Sequence, residues 1–262
     1  MDHIEVGKYW NDNALAWTTI ARAGFDIYRD HLNTPAFFNM LPGVQGLSGI
    51  DIGCGEGHNT RLLAKKGAAI CAIDISEVFI QNALEEEAQH PLGIAYQIAS
   101  AIELPFENNQ FDFATSFMCL MDIPELEQAL TEAYRVIKPG GFFQFSITHP
   151  CFDTPVRVNK RDVNGKTYAI EISDYFKHIH GDIEEWIFGA APAHYKSAFP
   201  KFKVPKFSRT LSQWVNTLVK TGFIIEEFNE PCPSNEVVAQ QPRLQDSQQV
   251  PYFLQVRCRK AL

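Results

Sequence analysis

Three glycines at alternating positions, Gly53, Gly55 and Gly57, end a short apolar run in GIDIGCGEGHNT, residues 49–60. A strand that empties into such a turn before a helix brings backbone close to a ligand, because glycine lacks a Cβ and tolerates positive φ. Asp51 sets a carboxylate at the strand end, which would repel a pyrophosphate and suit a ligand with a cationic amino-acid end. Asp74 closes the next apolar run, AAICAIDI, where a doubly wound fold places a carboxylate that accepts hydrogen bonds from ribose hydroxyls. Loop and carboxylate together point to a cofactor containing a nucleoside. A dinucleotide fingerprint needs glycine at position 58; His58 stands there, and with Asp51 it argues against a nicotinamide dehydrogenase.

The elements that must hold these residues follow from periodicity. Short apolar runs alternate with helical patterns from about residue 47 to 149: GLSGIDI, AAICAIDI, GIAYQIA, FDFATSF and GFFQFSIT are the strands. Ser76 reads as the N-cap of a helix ending at His90 and Pro91. A second helix carries Leu126, Leu130, Ala133 and Ile137 on one face, with Pro124 in its first turn and Lys138-Pro139-Gly140-Gly141 as its stop. Thr210 and Gln213 form a capping box for a helix ending at Gly222, followed by the strands FIIEEF and YFLQVRCR. In the last strand Tyr252, Leu254, Val256 and Cys258 face one way and Gln255, Arg257 and Arg259 the other, the mark of a less buried, antiparallel strand. The fold class is therefore α/β: a doubly wound, Rossmann-like, seven-stranded, mostly parallel sheet with an antiparallel last strand. Residues 150–207, rich in aromatics and carrying the turn signal Asn164-Gly165, read as a small antiparallel insertion.

In order and spacing, DxGCGxG, Asp74, LPF (104–106) and KPGG (138–141) resemble the class I S-adenosylmethionine-dependent methyltransferases. The resemblance implies that Asp51, Gly53, Cys54 and Gly55 surround the methionine part of the cofactor, and that Asp74 and Ile75 meet its ribose and adenine. ASAIELPF, residues 99–106, matches the segment where an acidic residue and alanine meet adenine; here Ser100 replaces the acid and Ala101 keeps its backbone amide. FDFATSFMCLMDIPE implies Ser116, Phe117 and Met118 beside the cofactor. YWNDNALAW, residues 9–17, resembles a lid helix, so Tyr9 and Trp17 are expected over the cofactor; the alternative is that Trp10 and Trp17 pin this helix to the core. The chain then divides into lid helices over 1–46, a cofactor-binding core over 47–149 and 208–262, and a substrate cap over 150–207.

Such chemistry is an in-line displacement at an activated methyl, and it needs a general base only if the acceptor loses a proton. His149, at the end of the fifth strand in SITHPCF, is the candidate base, its alternative being a strand-end histidine held by backbone. Asp122 is the candidate for orienting the acceptor, its alternative a solvated loop carboxylate. His178 and His180 lack a third ligand, so no metal is expected. The net charge of −8, from 23 Lys and Arg against 31 Asp and Glu, opposes binding to phosphate backbones. With no basic leader, no long apolar run and no paired cysteine spacing among six, the expectation is a cytoplasmic protein with reduced thiols, no membrane partner and a small-molecule methyl acceptor. Oxygen, nitrogen and carbon acceptors stay open. The competing readings are a methyltransferase acting on tRNA or protein, for which only the lysines of 196–209 speak, and a non-enzymatic S-adenosylmethionine-binding module.

Overall fold

The computed structural model describes all residues, 1–262. Its elements are α1 (His3–Ile20), α2 (Thr34–Met40), β1 (Ser48–Ile52), α3 (His58–Lys65), β2 (Ala69–Asp74), α4 (Glu77–Gln89), β3 (Ala95–Ile98), β4 (Phe111–Phe117), α5 (Leu126–Val136) and β5 (Ile137–Thr148). There follow β6 (Val156–Arg161), β7 (Thr167–Ser173), β8 (His180–Trp186), α6 (Ala193–Ala198), β9 (Phe202–Phe207), α7 (Leu211–Thr221), β10 (Phe223–Asn229), α8 (Asn235–Gln240) and β11 (Phe253–Lys260). Seven strands form one sheet in the order β10-β11-β5-β4-β1-β2-β3. Only β11 runs against its neighbours, β10 and β5. The order reverses at β1, so the carboxyl ends of β1 and β4 diverge there and leave the crevice in which such folds bind ligands. No helix is long and apolar enough to cross a membrane.

Local chemistry fixes the helices. Ser76 Oγ accepts from Phe79 N–H at the start of α4, and Thr210 and Gln213 close the expected capping box of α7, which ends at Gly222 in the left-handed region. Pro124 lies just ahead of α5 rather than within its first turn, because Glu125 takes the N-cap position. Phe143, Phe145 and Ile147 of β5 pack with α5 and α7 in the main core. The opposite face of β5 and β11 is buried too. Gln255, read from sequence as outward-facing, is fully buried: its Nε2 donates to the carbonyl and Oδ1 of Asn33, at 2.9 and 2.8 Å. Gln144 Nε2 likewise donates to Phe37 O, so the segment around α2 covers the polar residues on this face of the sheet.

The segment between β5 and α7 forms two separate antiparallel pairs, β6–β7 and β8–β9, outside the main sheet. The β8–β9 pair is docked on α1. Trp17 sits in a cluster with Trp186, Phe188 and Phe202 at ring-centroid distances of 5.3, 4.8 and 4.9 Å. Asn13 completes the joint like a strand partner, donating Nδ2 to Lys203 O at 2.9 Å and accepting from Lys203 N–H at 3.0 Å. At its other side α1 holds the start of α4, where Asn11 Oδ1 accepts from Ser76 Oγ and Val78 N–H, each at 3.1 Å. Helix and hairpin therefore roof the carboxyl end of the sheet as one body.

Candidate active site

Under this roof lies a cavity of about 500 Å³, the size that suits a small organic ligand. Its floor is the glycine loop. Asp51, at the end of β1, is buried, and its two oxygens accept from Thr60 Oγ1 at 2.6 Å and Thr115 Oγ1 at 2.8 Å. Burial pushes this carboxyl up from its ordinary value, against the pull of the two hydroxyls. Asp74, at the end of β2, accepts from the amides of Gly55 at 2.8 Å and Ser76 at 2.9 Å, which ties the loop to the neighbouring strand. Burial raises it to about 6, opposed by those two amides. Gly53 and Gly55 both have positive φ, and they differ in what surrounds them. A Cβ on Gly53 would meet Cys119 Sγ at 2.2 Å, whereas one on Gly55 would meet nothing within 4 Å. Gly55 borders the cavity, so the open space beside it is room for a ligand against bare backbone.

Cys54, Ile75, Ser100, Ala101, Phe117 and Met118 also line the cavity, as does Trp17. Three residues singled out by sequence do not. Ser116 is fully buried and donates to Ile52 O at 2.8 Å, a strand-to-strand tie. Tyr9 points off the face of α1 that carries His3, Val6, Trp10 and Trp17; one residue's step is a rotation of about 100°, so Trp10 takes the place expected of Tyr9. His149, the candidate base, is buried away from the cavity, although Thr148 and Pro150 line it. Its Nδ1 accepts from Cys151 N–H at 3.1 Å, which leaves the proton on Nε2 to be donated to Glu230 at 2.8 Å. Glu230 is itself a partner that no sequence signal marked.

Asp122 is in the cavity. It is 9% exposed and its carboxylate makes no hydrogen bond; burial lifts it well above the usual carboxylate range, opposed chiefly by the charge of Arg209. Around it stand Asp153 and Glu184, which no sequence signal marked, and Lys206 and Arg209, which belong to the basic stretch 196–209 but line the cavity. At the loop end, Glu56 holds Arg22, two residues past α1, at 2.8 Å and Arg61 from α3 at 2.9 Å, which latches the roof to the glycine turn. His58 borders the cavity too, and burial beside Arg29 lowers it to about 4, leaving it neutral at pH 7. Burial drives the thiols of Cys54 and Cys119 far up, so neither is a nucleophile at neutral pH.

Residues 50–145 match the family described as a methyltransferase domain. Malonyl-[acyl-carrier protein] O-methyltransferase of Salmonella typhimurium is 33% identical over 111 residues, covering 42% of this chain and 43% of that protein. Demethylmenaquinone methyltransferase of Tropheryma whipplei is 34% identical over 152 residues, covering 56% of this chain and 63% of that protein. This chain thus spans less than two thirds of these relatives. A solved structure, an S-adenosylmethionine-dependent methyltransferase from Mesorhizobium loti, superposes with a TM-score of 0.69 at 29% identity and covers 86% of this chain and 96% of its own. Carboxylates on two adjacent strand ends, an unobstructed glycine edge and an apolar flank at Ile75 fit an adenosyl group carrying a cationic amino-acid end. In fold, in this loop and in these relatives, the chain is similar to the class I S-adenosylmethionine-dependent methyltransferases, and its residues 50–145 form a methyltransferase domain.

Proposed function

We propose that the protein transfers a methyl group from S-adenosylmethionine to a small-molecule acceptor by in-line displacement. The observation that carries this reading is one cavity joining the Asp51–Asp74 loop to a roofed wall on which Asp122 has no partner. The cofactor supplies a methyl already activated on a sulfonium, so the chain's own tasks are alignment and exclusion of water. In this reading Asp51 faces the cationic amino-acid end, Asp74 accepts from the ribose hydroxyls, and Ser100 and Ala101 border the adenine. Residues 1–46 close over the cofactor, and residues 150–207 shape the acceptor side. Asp122 orients the acceptor and accepts any proton it releases; a carboxyl raised by burial is closer in pKa to the groups it must deprotonate. The size of the cavity and the net charge of −8 support a small acceptor over nucleic acid. Six free cysteines fit a cytoplasmic setting.

The test is S-adenosylhomocysteine formation with a panel of small hydroxyl, amine and carbon-acid acceptors. Acceptor-dependent product that falls at least about 100-fold in Asp122→Asn, a loss in the range of general-base catalysis, supports the reading. Cofactor binding without turnover on any acceptor would favour the non-enzymatic module.

A further inference from the structure

The acceptor wall carries more acid than base: Asp122, Asp153 and Glu184 against Lys206 and Arg209. Lys206 Nζ lies 3.1 Å from both Asp153 Oδ1 and Glu184 Oε1, bridging the loop after β5 to the β8–β9 hairpin. Arg209 donates to the carbonyls of Met121, Ile123 and Pro124, and its guanidinium stacks near Trp214. His3 is turned to Glu125, with Nδ1 3.7 Å from the carboxylate. Three carboxylates, Asp122, Asp153 and Glu184, thus stand with two cations whose N–H groups are largely committed to Asp153, Glu184 and backbone carbonyls, and Asp122, more than nine-tenths buried, makes no side-chain hydrogen bond. The remaining surface includes the rings of Trp186 and Tyr175, whose faces attract cations.

We propose that the acceptor is an amine, seated with its nitrogen against Asp122 and an apolar body among the aromatic side chains. This inference rests on the methyl-transfer reading and narrows it. A neutral amine donates an N–H to Asp122 and turns its lone pair toward the methyl. The N–C bond forms as the S–C bond breaks, and the bonding pair returns to sulfur as a neutral thioether. Positive charge passes from sulfur to nitrogen, and the proton then leaves nitrogen for Asp122 and water. Charge developing on nitrogen is stabilised by Asp122 and the ring faces, whereas a phenolate or carboxylate at the same place would meet the excess of acid formed by Asp122, Asp153 and Glu184.

The test uses protein saturated with S-adenosylhomocysteine and titrated with three ligands of one shape: 2-phenylethylamine, 2-phenylethanol and phenylacetate. The amine is expected to bind at least about 10-fold more tightly than the other two, and to lose about 10-fold or more in Asp122→Asn with the S-adenosylhomocysteine affinity unchanged. The wild-type order of the three ligands carries the test even if the variant fails to fold. Preference for the alcohol or carboxylate, or binding of none of the three by protein that holds S-adenosylhomocysteine, overturns the amine assignment alone. Failure to bind S-adenosylhomocysteine overturns the methyl-transfer reading with it.

Discussion

Gly53→Ala and Gly55→Ala, two residues apart on one turn, are expected to fail in different ways. Both glycines have positive φ, +73° and +55°, where an alanine costs about 1 kcal/mol. At Gly53 the new methyl also lands 2.2 Å from Cys119 Sγ and 2.5 Å from its Cβ, so β1's turn and the segment after β4 must separate. Overpacking of this kind costs about 1–3 kcal/mol more, for a total of about 2–4 kcal/mol. At Gly55 nothing stands within 4 Å, so stability falls by only about 1 kcal/mol. The Gly55 methyl instead occupies space in the cavity, and S-adenosylhomocysteine affinity should drop by about 10-fold or more while urea unfolding shifts little. Urea denaturation at pH 7 and calorimetric titration of each variant read the two effects separately. Equal stability loss in the two variants, or wild-type cofactor affinity in Gly55→Ala, would refute the reasoning.

Trp17→Ala removes the ring that α1 sets among Trp186, Phe188 and Phe202; a loss of about 3 kcal/mol in roof docking should appear as faster proteolysis within residues 180–207 and weaker cofactor binding. His149→Gln should destabilise by about 1 kcal/mol in urea, since two part-buried contacts go, yet leave cofactor affinity and turnover within about two-fold; a large kinetic loss in stable protein would restore His149 as a base. Burial, opposed by Arg29, raises Asp26 to about 6 from 3.8. Between those values the native state holds the proton and the unfolded state does not, so this group's contribution to stability falls as pH rises. Asp26→Asn should therefore gain on wild type by about 2 kcal/mol between pH 4 and pH 7, and a pH-independent difference between the two would contradict the shift.

Much of this arrangement was legible in the chain because it is local. The glycine turn, the caps at Ser76 and Thr210 and the antiparallel β11 each depend on a few consecutive residues. What escaped depends on faces. Thr115 and Ser116 are both buried because β4 is a central strand covered on both sides, so burial pattern could not tell which bonds the neighbouring strand and which the carboxylate of Asp51. Alternation placed Gln255 toward solvent, but Asn33, more than 200 residues earlier, lies over it. The cluster around Asp122 is drawn from the loop after β4, the loop after β5, β8, β9 and the approach to α7, and no spacing rule joins such distant residues.

Whether the loop between β1 and α3 and the strand end at Asp74 form an S-adenosylmethionine site is decided by calorimetry. Purified protein is titrated with S-adenosylmethionine and S-adenosylhomocysteine, with NAD as control and Asp74→Ala alongside. One-to-one binding of both sulfur compounds is expected, with none of NAD and a loss of about 10-fold or more in the variant, which frees the Gly55 amide as well as removing the acceptor for the ribose. Absence of binding by either sulfur compound, or preference for NAD, would contradict this assignment.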